Sequence, residues 1–77
     1  DRGRVYIMFG KPSEVERYPF EANSKGYEIW RYDMIEGGVE FDFIDLINDG
    51  RTYELINSTK QGEIRDDNWK RRLSVLH

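Results

Sequence analysis

The stretch from Tyr27 to Asp45 contains two runs of alternating apolar and polar residues, which flank a turn at Gly37 and Gly38. Side chains alternate between the two faces of an extended strand, so this period of two is typical of β-structure. In the second run, one strand face carries the apolar residues Val39, Phe41 and Phe43. We therefore predict an antiparallel hairpin at the centre of a small sheet.

The N-terminal part of the chain predicts a strand followed by a short helix. Arg4 to Phe9 is apolar at both odd and even positions, a pattern typical of a central strand covered on both faces. Gly10 would end this strand. Pro12 and Glu14 suit the first turn of a helix, which Pro19 would stop within two turns.

The C-terminal part predicts a further strand and a longer helix. Asn48-Asp49-Gly50 is a strong turn signal, and Thr52 to Ile56 could form the next strand. A helix is expected from Asp66 to about Leu76, with its apolar stripe formed by Trp69, Leu73 and Leu76. The fold class that results is α+β, a small two-layer domain with a mostly antiparallel sheet of three or four strands.

Length and charge limit the classes of partner. The chain has 77 residues, which suffice for one domain, and it carries a net charge of −3. We expect residues 1–77 to be a single α+β domain cut from a larger protein, since the sequence starts at Asp1 without a methionine. Acids outnumber bases, so nucleic acid is not an expected partner. No apolar run approaches the roughly 20 residues that a membrane-spanning helix needs, so we expect no membrane insertion.

The residue types needed for common catalytic sites are scarce. There is no cysteine, and the single histidine is His77, the last residue. The usual Ser-His and Cys-His arrangements therefore cannot be assembled within the chain. Neither a metal-binding motif nor a phosphate-binding glycine pattern is present. We expect no catalytic residue, metal site, cofactor or small-molecule ligand, and the domain is expected not to be an enzyme.

Acidic residues offer the alternative, which is an enzyme. Glu40 and Asp42 share one strand face about 7 Å apart, and Glu28 or Glu54 could join them. Paired carboxylates at this spacing can hydrolyse a polysaccharide or peptidoglycan, or hold a hard cation. The simpler interpretation is a solvated sheet face, on which alternating acids are routine. The acids around Asn48-Asp49-Gly50 likewise indicate a polar turn rather than a calcium loop.

Arg4 lies beside Arg2 at the mouth of the predicted first strand. An arginine in this position could bind the carboxylate of a ligand in a bidentate manner. Pairing with an acid on the same rim is the commoner role. The acids expected to be within reach are Asp1, Glu14 and Glu16.

Aromatic residues give the predicted interaction site. If Ile29 points to the same side as Phe41, then Trp30 and Tyr32 point to the other side, where Tyr6 could join them. The first helix is too short to cover that side, and an uncovered aromatic patch usually marks an interface. Tyr6, Trp30 and Tyr32 would then bind a protein partner or a second copy of the chain. The alternative is that the C-terminal segment wraps round and closes both faces.

Several segments together resemble a bacterial domain family. In chain order they are Asp1–Ile7, Phe9–Arg17, Tyr27–Trp30, Val39–Asp45 and Tyr53–Leu55. Their order resembles that of the GWxTD domain family, with Asp1 as the last residue of a signature whose Gly, Trp and Thr are missing. The resemblance implies an exported or envelope-associated protein of uncharacterised role, placed in the periplasm or cell envelope. We thus interpret the chain as a non-catalytic structural or protein-interaction module.

Overall fold

The computed structural model describes residues 1–74, which fold around a single antiparallel sheet. Helix α1 comes first, at Arg2–Phe9, and a five-residue 3₁₀ helix comes last, at Trp69–Leu73. Between them lie β1 (Glu14–Tyr18), β2 (Tyr27–Tyr32), β3 (Val39–Ile44) and β4 (Glu54–Ser58). Each strand pairs antiparallel with the next, in the order β1-β2-β3-β4. The predicted α+β class with an antiparallel sheet is confirmed.

The predicted central hairpin is present. β2 pairs with β3 so that Trp30 lies opposite Phe41 and Tyr32 lies opposite Val39. The turn between the strands includes Gly38, whose backbone N–H donates to the carbonyl of Ile35 at 2.7 Å. Its φ of 119° lies in the region that favours glycine, which explains why the sequence has a glycine there.

The predicted strand Arg4 to Phe9 is wrong, because these residues belong to α1. The N–H of Gly10 donates to the carbonyl of Tyr6 at 2.8 Å and closes the last turn of the helix. Gly10 has φ 81° and ψ −161°, a conformation that side chains disfavour, and Pro12 follows soon after. A short run that is apolar at every position fits a helix as well as a strand, so periodicity could not decide between them.

The predicted short helix after Pro12 is also wrong, since Glu14–Tyr18 forms the edge strand β1. In the pairing of β1 with β2, Val15 lies opposite Trp30 and Arg17 lies opposite Glu28. Pairing with β2 satisfies the backbone groups that face that strand, and Val15 packs against the core. These tertiary contacts outweigh the local helix-start signals.

The two C-terminal elements are shifted or shortened. β4 spans Glu54–Ser58, two residues later than the predicted strand, and its register with β3 shifts between Asp42 and Phe43. The 3₁₀ helix Trp69–Leu73 occupies part of the predicted longer helix. That longer helix is not confirmed, and its expected end at Leu76 lies outside the described residues.

Apolar side chains form a cluster on each face of the sheet. On the α1 face, Val5 of the helix packs within the cluster Trp30, Tyr32, Val39, Phe41, Phe43 and Leu55. On the opposite face, which we call the 3₁₀ face, the cluster consists of Ile29, Ile44, Ile56, Trp69 and Leu73. The sheet therefore has an element packed against each face, and the predicted two-layer arrangement is not confirmed.

Candidate functional site

The three residues of the predicted interaction site differ in their exposure. Trp30 and Tyr32 are buried, with 8% and 4% of their surface exposed, whereas Tyr6 is 52% exposed. The expectation that Trp30 and Tyr32 lie on the face opposite Phe41 is wrong, because Trp30 pairs directly with Phe41 in the same cluster. Since side chains alternate, an error of one residue in orienting a strand moves every side chain to the other face. Trp30 and Tyr32 therefore do not form an exposed patch.

The structure nevertheless brings Tyr6 and Trp30 together. Their ring centroids are 6.4 Å apart with the rings edge to face, an arrangement that aromatic pairs prefer. Tyr32 has a different role, because its hydroxyl donates to the carbonyl of Gly10 at 2.7 Å. Tyr32 thus anchors the end of α1, while Tyr6 continues the aromatic cluster to the surface.

A cleft of about 570 Å³ opens beside this aromatic pair. It lies where the start of α1 meets β1, β2 and the loop that precedes β4. We call it the arginine cleft, since three of the residues that line it are Arg2, Arg17 and Arg51. Tyr6 and Trp30 also line it, so two of the three predicted interaction residues belong to this site.

Glu28 binds three of the other residues that line the arginine cleft. Its side chain is almost completely buried, and Oε1 accepts a hydrogen bond from Nε1 of Trp30 at 3.0 Å. Oε2 lies 3.0 Å from Nη1 of Arg2 and 3.5 Å from Nε of Arg17. A buried carboxylate must be paired to be tolerated, and Glu28 is paired on both of its oxygens. It therefore fixes the positions of two arginines.

Arg2 is held in place by further contacts. Its guanidinium carbon lies 4.1 Å from the centre of the Tyr53 ring, within the range of a cation–π interaction. Its Nη2 donates to the backbone carbonyl of Arg51 at 3.0 Å. Burial raises the pKa of Tyr53, with a smaller contribution from the negative charge of Glu28. The hydroxyl of Tyr53 is therefore neutral at ordinary pH.

The cleft carries an excess of positive charge. Three guanidinium groups face the carboxylates of Glu28 and Asp1, which leaves one positive charge in a chain whose net charge is −3. The Asp1 carboxylate accepts a hydrogen bond from the N–H of Leu55 at 2.9 Å. Within residues 1–74 the guanidinium of Arg51 contacts no acid, and the Arg17 side chain is 73% exposed.

A tight turn positions Arg51 at the rim of the cleft. Oxygens of Asp45 accept the N–H groups of Asp49 and Gly50 at 3.1 and 2.7 Å. Asp49 in turn accepts the N–H groups of Arg51 and Thr52. Hydrogen bonds from Thr52 and then Arg51 lower the pKa of Asp49. These carboxylates are occupied by backbone groups, which supports the interpretation of this segment as a polar turn.

The outer side of α1 adjoins the cleft and carries exposed apolar side chains, with Nη1 of Arg4 3.4 Å from Sδ of Met8. Tyr6, Ile7 and Met8 are consecutive, and Ile7 and Met8 are 85% and 57% exposed. Val5 and Phe9, which precede and follow these three residues, pack against the sheet. One face of a helix holds only every third or fourth residue, so the middle of the run must face outward.

The paired carboxylates of the enzyme hypothesis lie on the 3₁₀ face. Asp42 is completely buried, and its Oδ2 accepts a hydrogen bond from Nδ2 of Asn57 at 2.9 Å. The pKa of Asp42 is raised to about 7, mainly by burial. The interaction with Glu40 also raises this pKa, and the hydrogen bond from Asn57 lowers it by a smaller amount. Oδ1 of Asp42 has no hydrogen-bond partner among the described residues. Of the two acids only Asp42 is buried, since the side chain of Glu40 is 30% exposed.

Arg31 is the cation at the centre of this acidic group. It pairs with Glu14 at 3.0 Å, with Glu16, and with Glu40 at 3.7 Å. Glu28, which we expected to be able to join Glu40 and Asp42, lies on the α1 face. Across residues 1–74 no group of three or more acids, histidines or cysteines could hold a metal ion.

Other sequence predictions are resolved outside the cleft. Arg4 pairs with an acid, as the structural interpretation expects, but its partner is Glu63 at 3.0 Å. Glu54, the other candidate to join the carboxylates, is exposed at the start of β4. His77 lies outside the described residues. No helix among residues 1–74 is long and apolar enough to span a membrane.

Sequence reasoning missed most of the arginine cleft. Glu28 was expected on a solvated face, and Arg17 was expected in a helix. The segment Glu14–Tyr18 has no clear alternation of apolar and polar residues, so there is little signal in the sequence for the strand that carries Arg17. Arg51 and Tyr53 carry no local signal of their own.

Comparison of the chain with protein-family models, curated proteins and solved structures finds no match. The resemblance to the GWxTD family therefore stays a prediction from the sequence.

Proposed function

We propose that this domain is a non-catalytic protein-interaction module that docks a partner protein on the outer side of α1. The observation that carries the proposal is the exposed apolar run of Tyr6, Ile7 and Met8. The sheet covers one side of α1, and exposed apolar side chains that lie close together usually mark an interaction site. A partner with complementary apolar side chains would cover the rest.

Met34 and Ile47 are two exposed apolar residues that lie in loops outside α1. Met34 is 93% exposed, but it stands alone in the turn between β2 and β3. Ile47 is 68% exposed in the loop after β3. Single exposed apolar residues are normal on protein surfaces and need no partner. The presence of three exposed apolar side chains on one short helix is what favours docking there.

The compartment is proposed from the sequence resemblance. A GWxTD-like module would belong to a bacterial exported or envelope protein of uncharacterised role, in the periplasm or cell envelope. Cell fractionation of the full-length protein tests this part separately. Recovery in the cytoplasmic fraction alone would contradict it and leave the docking proposal intact.

The alternative is a carboxylate enzyme acting on a polysaccharide or peptidoglycan. The pKa of Asp42 near 7 favours it, because a general acid works best when its pKa lies near the working pH. Its weakness is that Asp42 is completely buried and hydrogen-bonded to Asn57. Release of reducing sugars from peptidoglycan by the protein, abolished by Asp42→Asn, would establish this alternative over docking.

Site-specific photo-crosslinking in cells that make the full-length protein tests the docking proposal. A benzoylphenylalanine residue at the position of Ile7 should give a discrete adduct with one other protein. The same residue at the position of Met34 is the matched control, since Met34 is as exposed but isolated. Adducts of equal yield at both positions, or none at position 7, would refute docking on α1. An adduct with the mass of two copies would identify the partner as a second copy of this chain.

A further inference from the structure

Building on the proposed docking on α1, we propose that the arginine cleft receives a carboxylate side chain from the same partner. The docking segment of the partner would then be an acidic peptide, with a Glu or Asp next to apolar residues. The acidic side chain enters between Arg17 and Arg51, while its apolar neighbours lie along the outer side of α1. The cleft would add charge specificity to an otherwise apolar interface.

The donors for this carboxylate are available. Arg17 uses its Nε for Glu28, so its two terminal nitrogens have no partner among residues 1–74. Arg51 contributes its backbone carbonyl to Arg2, but in the described part of the chain its guanidinium is unpaired. Guanidinium groups present planar pairs of N–H donors that match the two oxygens of a carboxylate.

The charge of the cleft favours a single negative charge. Three guanidinium groups and the carboxylates of Glu28 and Asp1 leave one positive charge, which one carboxylate neutralises. A phosphomonoester carries about −1.5 to −2 at pH 7 and would exceed it. Nucleic acid would meet the repulsion of a chain with a net charge of −3. A carboxylate is therefore the best-matched anion.

The walls of the cleft suit a peptide. The half-exposed ring of Tyr6, which contacts Trp30, lines the cleft, and so does Tyr53. Tyr6 is also the first residue of the apolar run on α1, so the cleft and the outer side of the helix are continuous. A volume of about 570 Å³ is enough for one or two side chains.

Glu28 acts as a positioning residue for this site. It holds Arg2 and Arg17 through one oxygen and the Trp30 indole through the other. Arg2 is thereby held against Glu28 and the Tyr53 ring. Preorganised donors bind without first having to be ordered.

An NMR titration of the isotopically labelled domain tests the proposal with two matched peptides. The probes are N-acetyl Leu-Glu-Leu amide and its Leu-Gln-Leu counterpart, which differ only in the charge. The glutamate peptide should shift the indole N–H signal of Trp30 and the amide signals of Arg17 and Arg51. It should bind about tenfold more tightly than the glutamine peptide, the difference expected for one charge-assisted pair.

Variants locate the binding. Arg51→Gln should remove the preference for glutamate without loss of stability, because the Arg51 guanidinium has no partner in the described part of the chain. Arg65→Gln, at an exposed pair with Asp67 away from the cleft, should leave the preference unchanged. Equal binding of both peptides, or no shift at either, would overturn the proposal. Tighter binding of inorganic phosphate than of the glutamate peptide would also overturn it, in favour of a phosphate site.

The crosslinking at Ile7 separates this inference from the function on which it rests. An adduct at Ile7 together with no glutamate preference refutes the carboxylate site and leaves docking on α1 standing. A glutamate preference without an adduct refutes docking and reassigns the cleft to a carboxylate ligand that does not contact α1.

Discussion

The indole N–H of Trp30 donates to the carboxylate of Glu28, two residues earlier in the same strand, at 3.0 Å. Residues i and i+2 of a strand share a face, so this bond runs along the α1 face of β2. Trp30 packs against Phe43, with ring centroids 5.0 Å apart, while Glu28 binds two arginines of the cleft. One hydrogen bond thus connects the apolar core to the charged candidate site.

Replacement of Trp30 by alanine should lower the free energy of unfolding by about 3–5 kcal/mol, the usual loss for a buried aromatic residue. Trp30→Phe keeps most of the packing but removes the bond to a charged group, and should lose about 1.5–3 kcal/mol. Urea denaturation followed by circular dichroism measures both. Met34→Ala is the control and should change stability by less than about 0.5 kcal/mol. A Trp30→Ala variant as stable as that control would show that the ring is not part of the core.

Glu28→Gln should destabilise the domain by about 1–3 kcal/mol, because Arg2 and Arg17 lose their charged partner. The loss is smaller than for a wholly buried pair, since both arginines reach solvent and can be rehydrated. High salt should change this difference little, because the carboxylate is buried. Asp67→Asn, at an exposed ion pair with Arg65, should cost less than about 1 kcal/mol. Equal effects of the two substitutions, measured by urea denaturation, would contradict this role of Glu28.

The hairpin could be predicted from the sequence, but the orientation of its strands could not. β2 and β3 carry apolar residues on both faces, as in Ile29 beside Trp30 and Phe43 beside Ile44. A period of two identifies a strand, but it does not say which face meets which element when both faces are apolar. The burial of Trp30 depends on α1 covering that face, and α1 itself was predicted to be a strand.

The arginine cleft could not be predicted from the sequence, for a different reason. Its contacts join residues that are far apart in the chain, since Arg2 binds Glu28 26 positions later and Arg51 49 positions later. No local motif encodes such contacts. They follow only after the helix and the order of the strands are known. Tyr6 and Trp30 were predicted as interaction residues from their aromatic type, and the structure places both in the lining of the cleft.

Two glycines of the N-terminal segment should respond to alanine in opposite directions. Gly10 has φ 81° and ψ −161°, so Gly10→Ala should destabilise the domain by about 1–3 kcal/mol through backbone strain. Gly3 lies within α1 with open space around it, so Gly3→Ala should stabilise by about 0.5–1 kcal/mol. Thermal unfolding of both variants checks the signs. A gain in stability for Gly10→Ala would mean that α1 does not end in this conformation.

The buried carboxyl group of Asp42 predicts how stability depends on pH. The pKa of Asp42 rises from 3.8 to about 7 on folding, mainly because of burial. Between these values the folded state binds more protons than the unfolded state, so the contribution of Asp42 to stability falls as pH rises. This contribution is complete below about pH 4 and is lost as pH passes through about 7. The domain should therefore unfold more readily at pH 8 than at pH 5.5.

Glu16 has the opposite effect on stability in acid. A hydrogen bond from Tyr18, then one from Arg31, lowers the pKa of Glu16, so its contribution has the opposite sign and disappears in acid. Stability should consequently be highest in mildly acidic solution. In the Asp42→Asn variant the amide oxygen can still accept the hydrogen bond from Asn57, but the titrating group is gone. The free energy of unfolding of this variant should therefore change little between pH 5.5 and 8. Urea titrations at several pH values measure this slope, and an identical slope in the wild type and Asp42→Asn would show that another group causes it.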